Sequence, residues 1–183
     1  MTKNVFQKKS TCLRLGCILT YLIMPVPVWA QWTVEIHEAY ESGEQIKAAV
    51  TRNDDGYKLE VYRDENGVVR SRFSTEKTLT RIDSQYCPTF DVVNRGMQNV
   101  SINGENCLVE SSWTEFILGY INNNQVISNP LYNFMNGREI VYRFKKFPYG
   151  YAETSFSLNR SKQALLEALG FNLTVQTDKG YSN

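Results

Sequence analysis

The sequence has almost no histidine and none of the short motifs that usually carry catalysis. His37 is the only histidine among 183 residues. A zinc centre or a Ser–His–Asp triad needs several partner groups around an imidazole. The chain also has no GxSxG elbow, HExxH pair, CxxC pair or glycine-rich phosphate loop. We therefore predict a non-enzymatic protein with no catalytic residues, no metal site and no cofactor, and we expect His37 on a solvent-facing strand surface.

Neither sign of charge dominates the chain. It carries 20 basic and 19 acidic residues, and four of the basic ones (Lys3, Lys8, Lys9 and Arg14) lie in the first thirty residues, which hold no acid. The rest therefore has 16 basic and 19 acidic residues, a net charge of −3. This balance excludes nucleic-acid binding by charge, and it leaves no strong polybasic patch for an anionic membrane. The expected partner is another envelope or secreted protein.

Long apolar runs are missing except for one near the N-terminus. Leu15–Val28 is apolar apart from Thr20 and two prolines, it follows a basic start, and Val28-Trp29-Ala30 suits a signal peptidase. The run is short for a spanning helix, which needs about 20 residues. We predict a signal peptide over residues 1–30 with cleavage after Ala30, and a periplasmic or secreted single β-rich domain over residues 31–183. An uncleaved N-terminal anchor is the alternative.

Cysteine is scarce outside the leader. Cys12 and Cys17 lie within residues 1–30, which leaves Cys87 and Cys107 in the predicted mature chain. An even pair in an exported protein is most simply a disulfide. A redox or nucleophilic thiol pair is the alternative, and the absence of CxxC disfavours it.

Two acidic segments carry the remaining candidate chemistry. Glu35, Glu38, Glu41 and Glu44 could suggest paired catalytic carboxylates, but no motif places a second acid opposite them. We interpret them as a solvated strand and loop. The segment Asn53–Gly56 lacks the ligand spacing and closing glutamate of an EF-hand. It predicts a tight turn instead.

Short alternating segments dominate the mature chain and predict a mainly β fold. Asn66-Gly67 predicts a hairpin that would place Arg70 and Arg72 opposite Glu60 or Tyr62. A second Asn-Gly pair, at 103–104, predicts another hairpin whose return strand holds Cys107. Many short strands with frequent turn signals are typical of a β-sandwich or an open barrel.

Two segments have helical spacing. The apolar residues of Trp113–Ile121 recur at helical intervals and predict a short helix. After a cap at Asn159 or Ser161, residues 164–169 form an apolar face, and Gly170 ends the segment. We therefore expect one C-terminal amphipathic helix to pack on the sandwich or barrel.

Aromatic residues and lysines alternate around a turn at 144–151. We predict a candidate interaction surface formed by Lys145, Lys146, Phe147, Tyr149 and Tyr151, which could hold a protein, a glycan or a lipid head group. The alternative is that the alternate aromatics belong to the core and the lysines only flank the turn.

Three stretches resemble the invasion-associated locus B (IalB-like) family of exported bacterial proteins. They are Trp32-Thr33-Val34, the segment from Gly104 through Cys107-Leu108-Val109-Glu110, and the stretch from Gly137 to Ala164-Leu165. Arg160 and Ser161 stand where the family has Gly-Phe, the family's cysteine after the first tryptophan is absent, and its second cysteine pair is closer together than Cys87 and Cys107. The resemblance implies a sandwich-like envelope or surface protein with a virulence or invasion role, and it carries over no catalytic residues.

These observations favour a protein that acts by protein–protein interaction. One alternative is a small-ligand binder of the periplasm whose cleft is lined by Tyr142, Tyr149 and Tyr151. Another is an accessory subunit of a secretion system. An enzyme would need a pair of close carboxylates that the sequence does not place.

Overall fold

A computed structural model describes residues 31–38, 45–75, 79–94, 100–102 and 107–179. The predicted signal peptide, Glu41, Glu44 and the Asn103-Gly104 pair lie outside these residues. Within them the chain forms thirteen strands and two helices. The strands are β1 Thr33–Glu38, β2 Gln45–Arg52, β3 Lys58–Arg63, β4 Val68–Ser74, β5 Arg81–Ile82, β6 Thr89–Val93, β7 Val100–Ile102, β8 Cys107–Val109, β9 Trp113–Tyr120, β10 Gln125–Ile127, β11 Glu139–Phe147, β12 Tyr151–Ser157 and β13 Thr174–Gln176. The helices are α1 Asn129–Asn136 and α2 Ser161–Leu169.

The strands form two antiparallel sheets. The large sheet has the order β1-β2-β3-β4-β9-β8, and the small sheet has the order β12-β11-β6-β7, with β5 pairing against the end of β11. β10 and β13 form a separate parallel pair. The predicted mainly β class and sandwich-like architecture are therefore confirmed.

Aromatic rings from both sheets fill the space between them. Phe73 of β4 stacks on Tyr142 of β11 with ring centroids 4.9 Å apart, and Phe90 of β6 meets Phe116 of β9 edge to face at 5.2 Å. The Tyr142 hydroxyl lies 3.2 Å from that of Ser71, so its polar end is satisfied inside the core. These contacts hold the two sheets face to face.

The first Asn-Gly hairpin forms as predicted. β3 pairs with β4 so that Glu60 lies opposite Arg72 and Tyr62 opposite Arg70. Gly67 adopts φ +77° in the turn, a conformation that favours glycine. The turn at 53–56 between β2 and β3 also forms, with the Gly56 N–H donating to Asn53 O at 3.1 Å.

The second predicted hairpin is wrong. β7 pairs with β6 in the small sheet, whereas β8 pairs with β9 in the large sheet. β7 and β8 therefore belong to different sheets and do not form a hairpin. An Asn-Gly pair permits a tight turn, but the partner strands decide whether a hairpin forms.

The helix predicted for Trp113–Ile121 is also wrong, because this segment is strand β9. Thr114, Phe116 and Leu118 alternate inward and are buried. Trp113 and Ile117 lie on the opposite face, so the apparent helical spacing combines residues from both faces of a strand.

The structure contains a helix that the sequence analysis missed and corrects the start of the expected one. α1 follows Ser128, whose hydroxyl accepts the Leu131 N–H at 3.0 Å, and Pro130 stands in its first turn. α2 forms as expected and buries Ala164, Leu165 and Leu169. Its predicted cap is wrong: Arg160 precedes it at φ +64° without a side-chain cap, and the Ser161 hydroxyl donates to Phe134 O at 2.6 Å.

Cys87 and Cys107 form the predicted disulfide, with their Cα atoms 6.0 Å apart. Cys87 lies just before β6 of the small sheet, and Cys107 begins β8 of the large sheet. The bond therefore ties the two sheets together. Neither described helix is long and apolar enough to cross a membrane.

Candidate binding surface at the hairpin end

The residues Lys145–Tyr151 comprise the last residues of β11, the turn and the first residue of β12, and we call them the hairpin end. Phe147, Tyr149 and Tyr151 are 59%, 89% and 76% exposed. The Lys146 N–H donates to Gly150 O at 2.9 Å and closes the turn. The aromatic residues along this hairpin therefore fall into two groups. Tyr142 and Phe144 belong to the core, and the three aromatics of the hairpin end face outward.

The preceding strand and turn support the hairpin end. β5 pairs with β11, with Ile82 opposite Lys146 and Arg81 opposite Phe147. The Asp83 N–H donates to Lys145 O at 2.9 Å. The ammonium of Lys145 lies 3.4 Å from the centroid of the Tyr86 ring, and interaction with the Tyr86 side chain raises the pKa of Lys145. Tyr86 adjoins Cys87, so the disulfide lies beside this support.

Charge is unevenly compensated along β11. Arg143 lies on β11 two residues before the hairpin end and is bound on both sides. Its Nε donates to Glu153 at 2.6 Å, and its Nη1 contacts Asp91. Arg81, Lys145 and Lys146 form no ion pair within the described part of the chain. The hairpin end is thus aromatic, and its two lysines form no ion pair with the described residues.

A second cluster covers the outer face of the large sheet, and its centre is a buried carboxylate. Glu115 accepts hydrogen bonds from Arg70 Nη1 and Arg72 Nε, both at 3.0 Å, and from the Tyr62 hydroxyl. Burial and the bond to Glu115 raise the pKa of Tyr62. The Arg72 guanidinium also lies 4.8 Å from the centre of the Trp113 ring. Each group is held by the others, as in a structural ion-pair network.

The same face holds the only histidine. His37 Nε2 lies 3.2 Å from a Glu60 oxygen, and Lys58 Nζ lies 3.1 Å from the other. Glu35 accepts from Arg52 Nη1 at 2.6 Å, and this bond lowers the pKa of Glu35. His37 is on the outer strand face, as expected, but it is half-buried beside Glu60. The Glu60 contact had no local sequence signal because strand register creates it. No three potential metal ligands cluster among the described residues.

The structure brings together some of the predicted site residues and separates others. Lys145 and Phe147, two positions apart on β11, lie on the same side of the hairpin as Tyr151. Tyr149 lies at the tip. Tyr142 is completely buried, so it does not share a cleft with Tyr149 and Tyr151. Arg81 and Tyr86 border the hairpin end but were not predicted, because the pairing of β5 with β11 and the contact with Lys145 place them there.

Comparisons with protein-family models, with curated proteins and with solved structures found no match.

Proposed function

We propose that this chain is an exported, non-catalytic protein of the cell envelope or surface that acts by binding another envelope component through the hairpin end. The observation that carries the proposal is the exposure of Phe147, Tyr149 and Tyr151 at the hairpin end. Aromatic rings are enriched where proteins bind partners, because they offer a large contact area at a low entropic cost. Grouped exposed apolar residues usually mark an interaction site.

Export is supported by the disulfide. A bond between Cys87 and Cys107 persists in an oxidising compartment and is rare in a reducing cytosol. We accordingly propose that residues 1–30 direct export, that cleavage follows Ala30, and that the mature protein is periplasmic or secreted.

The resemblance to the IalB-like family gains support from one backbone conformation. Arg160 adopts φ +64°, which favours glycine, and glycine is the residue that the family has at this place. Ser161, where the family has phenylalanine, is completely buried. An invasion-associated role is proposed on this resemblance alone.

A non-catalytic role agrees with how the charged side chains are used. Glu115 contacts Arg70 on the neighbouring strand and Glu60 contacts Lys58 on its own strand, which is the pattern of a stabilising network. The small-ligand alternative loses the cleft on which it rested, because Tyr142 lies in the core. An accessory role in a secretion system would be one form of the binding function proposed here.

Photo-cross-linking tests the proposal directly. A benzophenone amino acid is placed at Tyr149 in one variant and at Phe171, an exposed aromatic after α2, in the control. Both variants are produced in the encoding bacterium and irradiated, and the adducts are identified by mass spectrometry. We expect an envelope component to be captured at position 149 and not at 171. Equal capture at both positions, or none at 149, would contradict the proposal.

A further inference from the structure

An exposed leucine extends the aromatic hairpin end. β5 runs antiparallel to β11, with Arg81 opposite Phe147. Residues before Arg81 therefore extend past Phe147, towards the same end of the sandwich as the turn. Leu79 stands two positions before Arg81 and is fully exposed. The same end of the sandwich thus presents Leu79, Phe147, Tyr149 and Tyr151 to solvent.

Three cations lie behind these apolar side chains. Arg81 stands on β5, and Lys145 and Lys146 stand on β11 just before the turn. They form no ion pair among the described residues, and the carboxylate that acts electrostatically on Lys145 is Asp83. The local balance is positive although the predicted mature chain is net negative. At this end of the molecule, the apolar side chains lie at the tip and the cations lie one or two residues behind them.

This order matches the layers of a bilayer surface. Tyrosine and other amphipathic aromatics settle at the level of the head groups, and Lys and Arg near the surface are attracted to anionic lipid phosphates. A protein–protein interface has a different anatomy, with a buried apolar core surrounded by a polar rim. On a protein partner, each of these separately projecting side chains would need its own matching pocket. A fluid bilayer can accommodate all of them without preformed pockets.

We infer that the hairpin end, together with Leu79 and Arg81, docks the protein on an anionic lipid bilayer. The inference rests on the proposed function and names the component that the hairpin end binds. It departs from the sequence-based expectation of no strong membrane-binding patch, because Arg81 is far from Lys145 and Lys146 in sequence and only strand pairing gathers them. The negative remainder of the chain would turn the positive end towards an anionic surface.

Sedimentation with lipid vesicles tests the inference. The exported protein, from Gln31 onward, is mixed with vesicles of equal parts phosphatidylglycerol and phosphatidylcholine, or of phosphatidylcholine alone, at low salt. We expect binding to the anionic vesicles only. Removing cations in Arg81→Gln, Lys145→Gln and Lys146→Gln should weaken partitioning roughly fivefold for each charge, and high salt should do the same by screening. The double variant Leu79→Ser/Tyr149→Ser should lose roughly tenfold or more.

Matched variants elsewhere on the surface serve as controls. Phe171→Ser removes an exposed aromatic after α2, and Lys179→Gln removes a cation near the C-terminus. Both should bind vesicles like the parent protein, and all variants should keep the parent melting temperature because the changed residues lie outside the core.

Three results would overturn the inference: no binding to anionic vesicles at low salt, equal binding to neutral ones, or equal losses in the control variants. If vesicle binding fails while position 149 still cross-links to a protein, the proposed binding function stands and the bilayer is the wrong partner. If both experiments fail, the proposed function fails as well.

Discussion

On the outer face of the large sheet, charged and hydroxyl side chains are arranged around individual carboxylates. Glu115 is almost completely buried, a position that an unpaired carboxylate could not occupy without a large desolvation cost. Arg70 and Arg72 supply charge-assisted hydrogen bonds, and the Tyr62 hydroxyl supplies a third. Sequence alternation placed both arginines on this face, but Glu115 was missed because β9 was assigned as a helix.

Two other carboxylates on this face have lowered pKa values, and they predict a loss of stability in acid. The hydrogen bond from Arg52 lowers the pKa of Glu35 from its ordinary 4.5. Burial alone would raise the pKa of Asp64, but hydrogen bonds from Arg70 and the Val68 N–H outweigh it and lower that pKa from 3.8. The unfolded chain therefore binds more protons in acid, so this stabilisation is complete above the ordinary values and disappears as pH falls through the folded ones.

The test is urea unfolding of the parent protein and of Glu35→Gln/Asp64→Asn from neutral pH to strong acid. We expect the parent's free energy of unfolding to fall below about pH 5, and the double variant to be less stable at neutral pH with a shallower decline in acid. Glu65→Gln, which changes an exposed turn carboxylate, is the control. A double variant with the parent's full acid slope would show that these two groups are not the source.

α1 has a side-chain cap and α2 has none, so alanine substitutions at the start of the two helices should change stability by different amounts. Ser128 caps α1 by accepting the Leu131 N–H and also donates to Leu118 O from a buried position. Ser128→Ala should therefore cost about 1–2 kcal/mol of unfolding free energy. Asn159 is exposed, and α2 has no side-chain cap, so Asn159→Ala should change stability by less than about 0.5 kcal/mol.

Chemical denaturation of both variants checks this pair of values. A large loss in Asn159→Ala would restore the cap that the sequence indicated for α2. An unchanged Ser128→Ala protein would mean that water replaces the hydroxyl at the start of α1.

The elements that the sequence predicted correctly are those whose signals are local. The β3–β4 and β11–β12 hairpins join neighbouring segments, and their turns carry Gly or Pro where the chain reverses. The errors lie where distant strands decide. β9 is a strand because it pairs with β4 and β8, and no residue within Trp113–Tyr120 signals those partners. The support of the hairpin end by Tyr86 is equally invisible, because a cation–π contact leaves no periodic pattern.

At the scale of the whole molecule, distant side chains cover part of the free edge of β12, an outer strand of the small sheet. Asn53 Nδ2 donates to Ser155 O at 2.9 Å, and Trp32 Nε1 donates to Ser157 O at 2.8 Å. Backbone carbonyls that are already satisfied do not readily accept another strand. The half of the β12 edge that lies away from the hairpin end is therefore a poor template for strand addition.

The disulfide joins the two sheets, so its removal should be felt by the whole molecule. It links residues 20 apart, and the chain-entropy relation gives about 3 kcal/mol of stabilisation for a loop of that size. The double variant Cys87→Ala/Cys107→Ala, made in the chain from Gln31 onward, should lose about this much unfolding free energy. Reduction of the parent protein should produce a similar loss, and a reductant should not affect the double variant further.

The same variant tests how the fold supports the hairpin end. Tyr86, which lies against Lys145, is next to Cys87 in the chain, so releasing the disulfide frees the turn that positions the lysine. We expect hydrogen exchange to accelerate at residues 81–86 and at Lys145 and Lys146 more than in the β2–β3 hairpin, which the disulfide does not touch. Uniform acceleration would mean that the bond contributes only global stability. Two free thiols in the purified parent protein, from Gln31 onward, would show that the disulfide does not form.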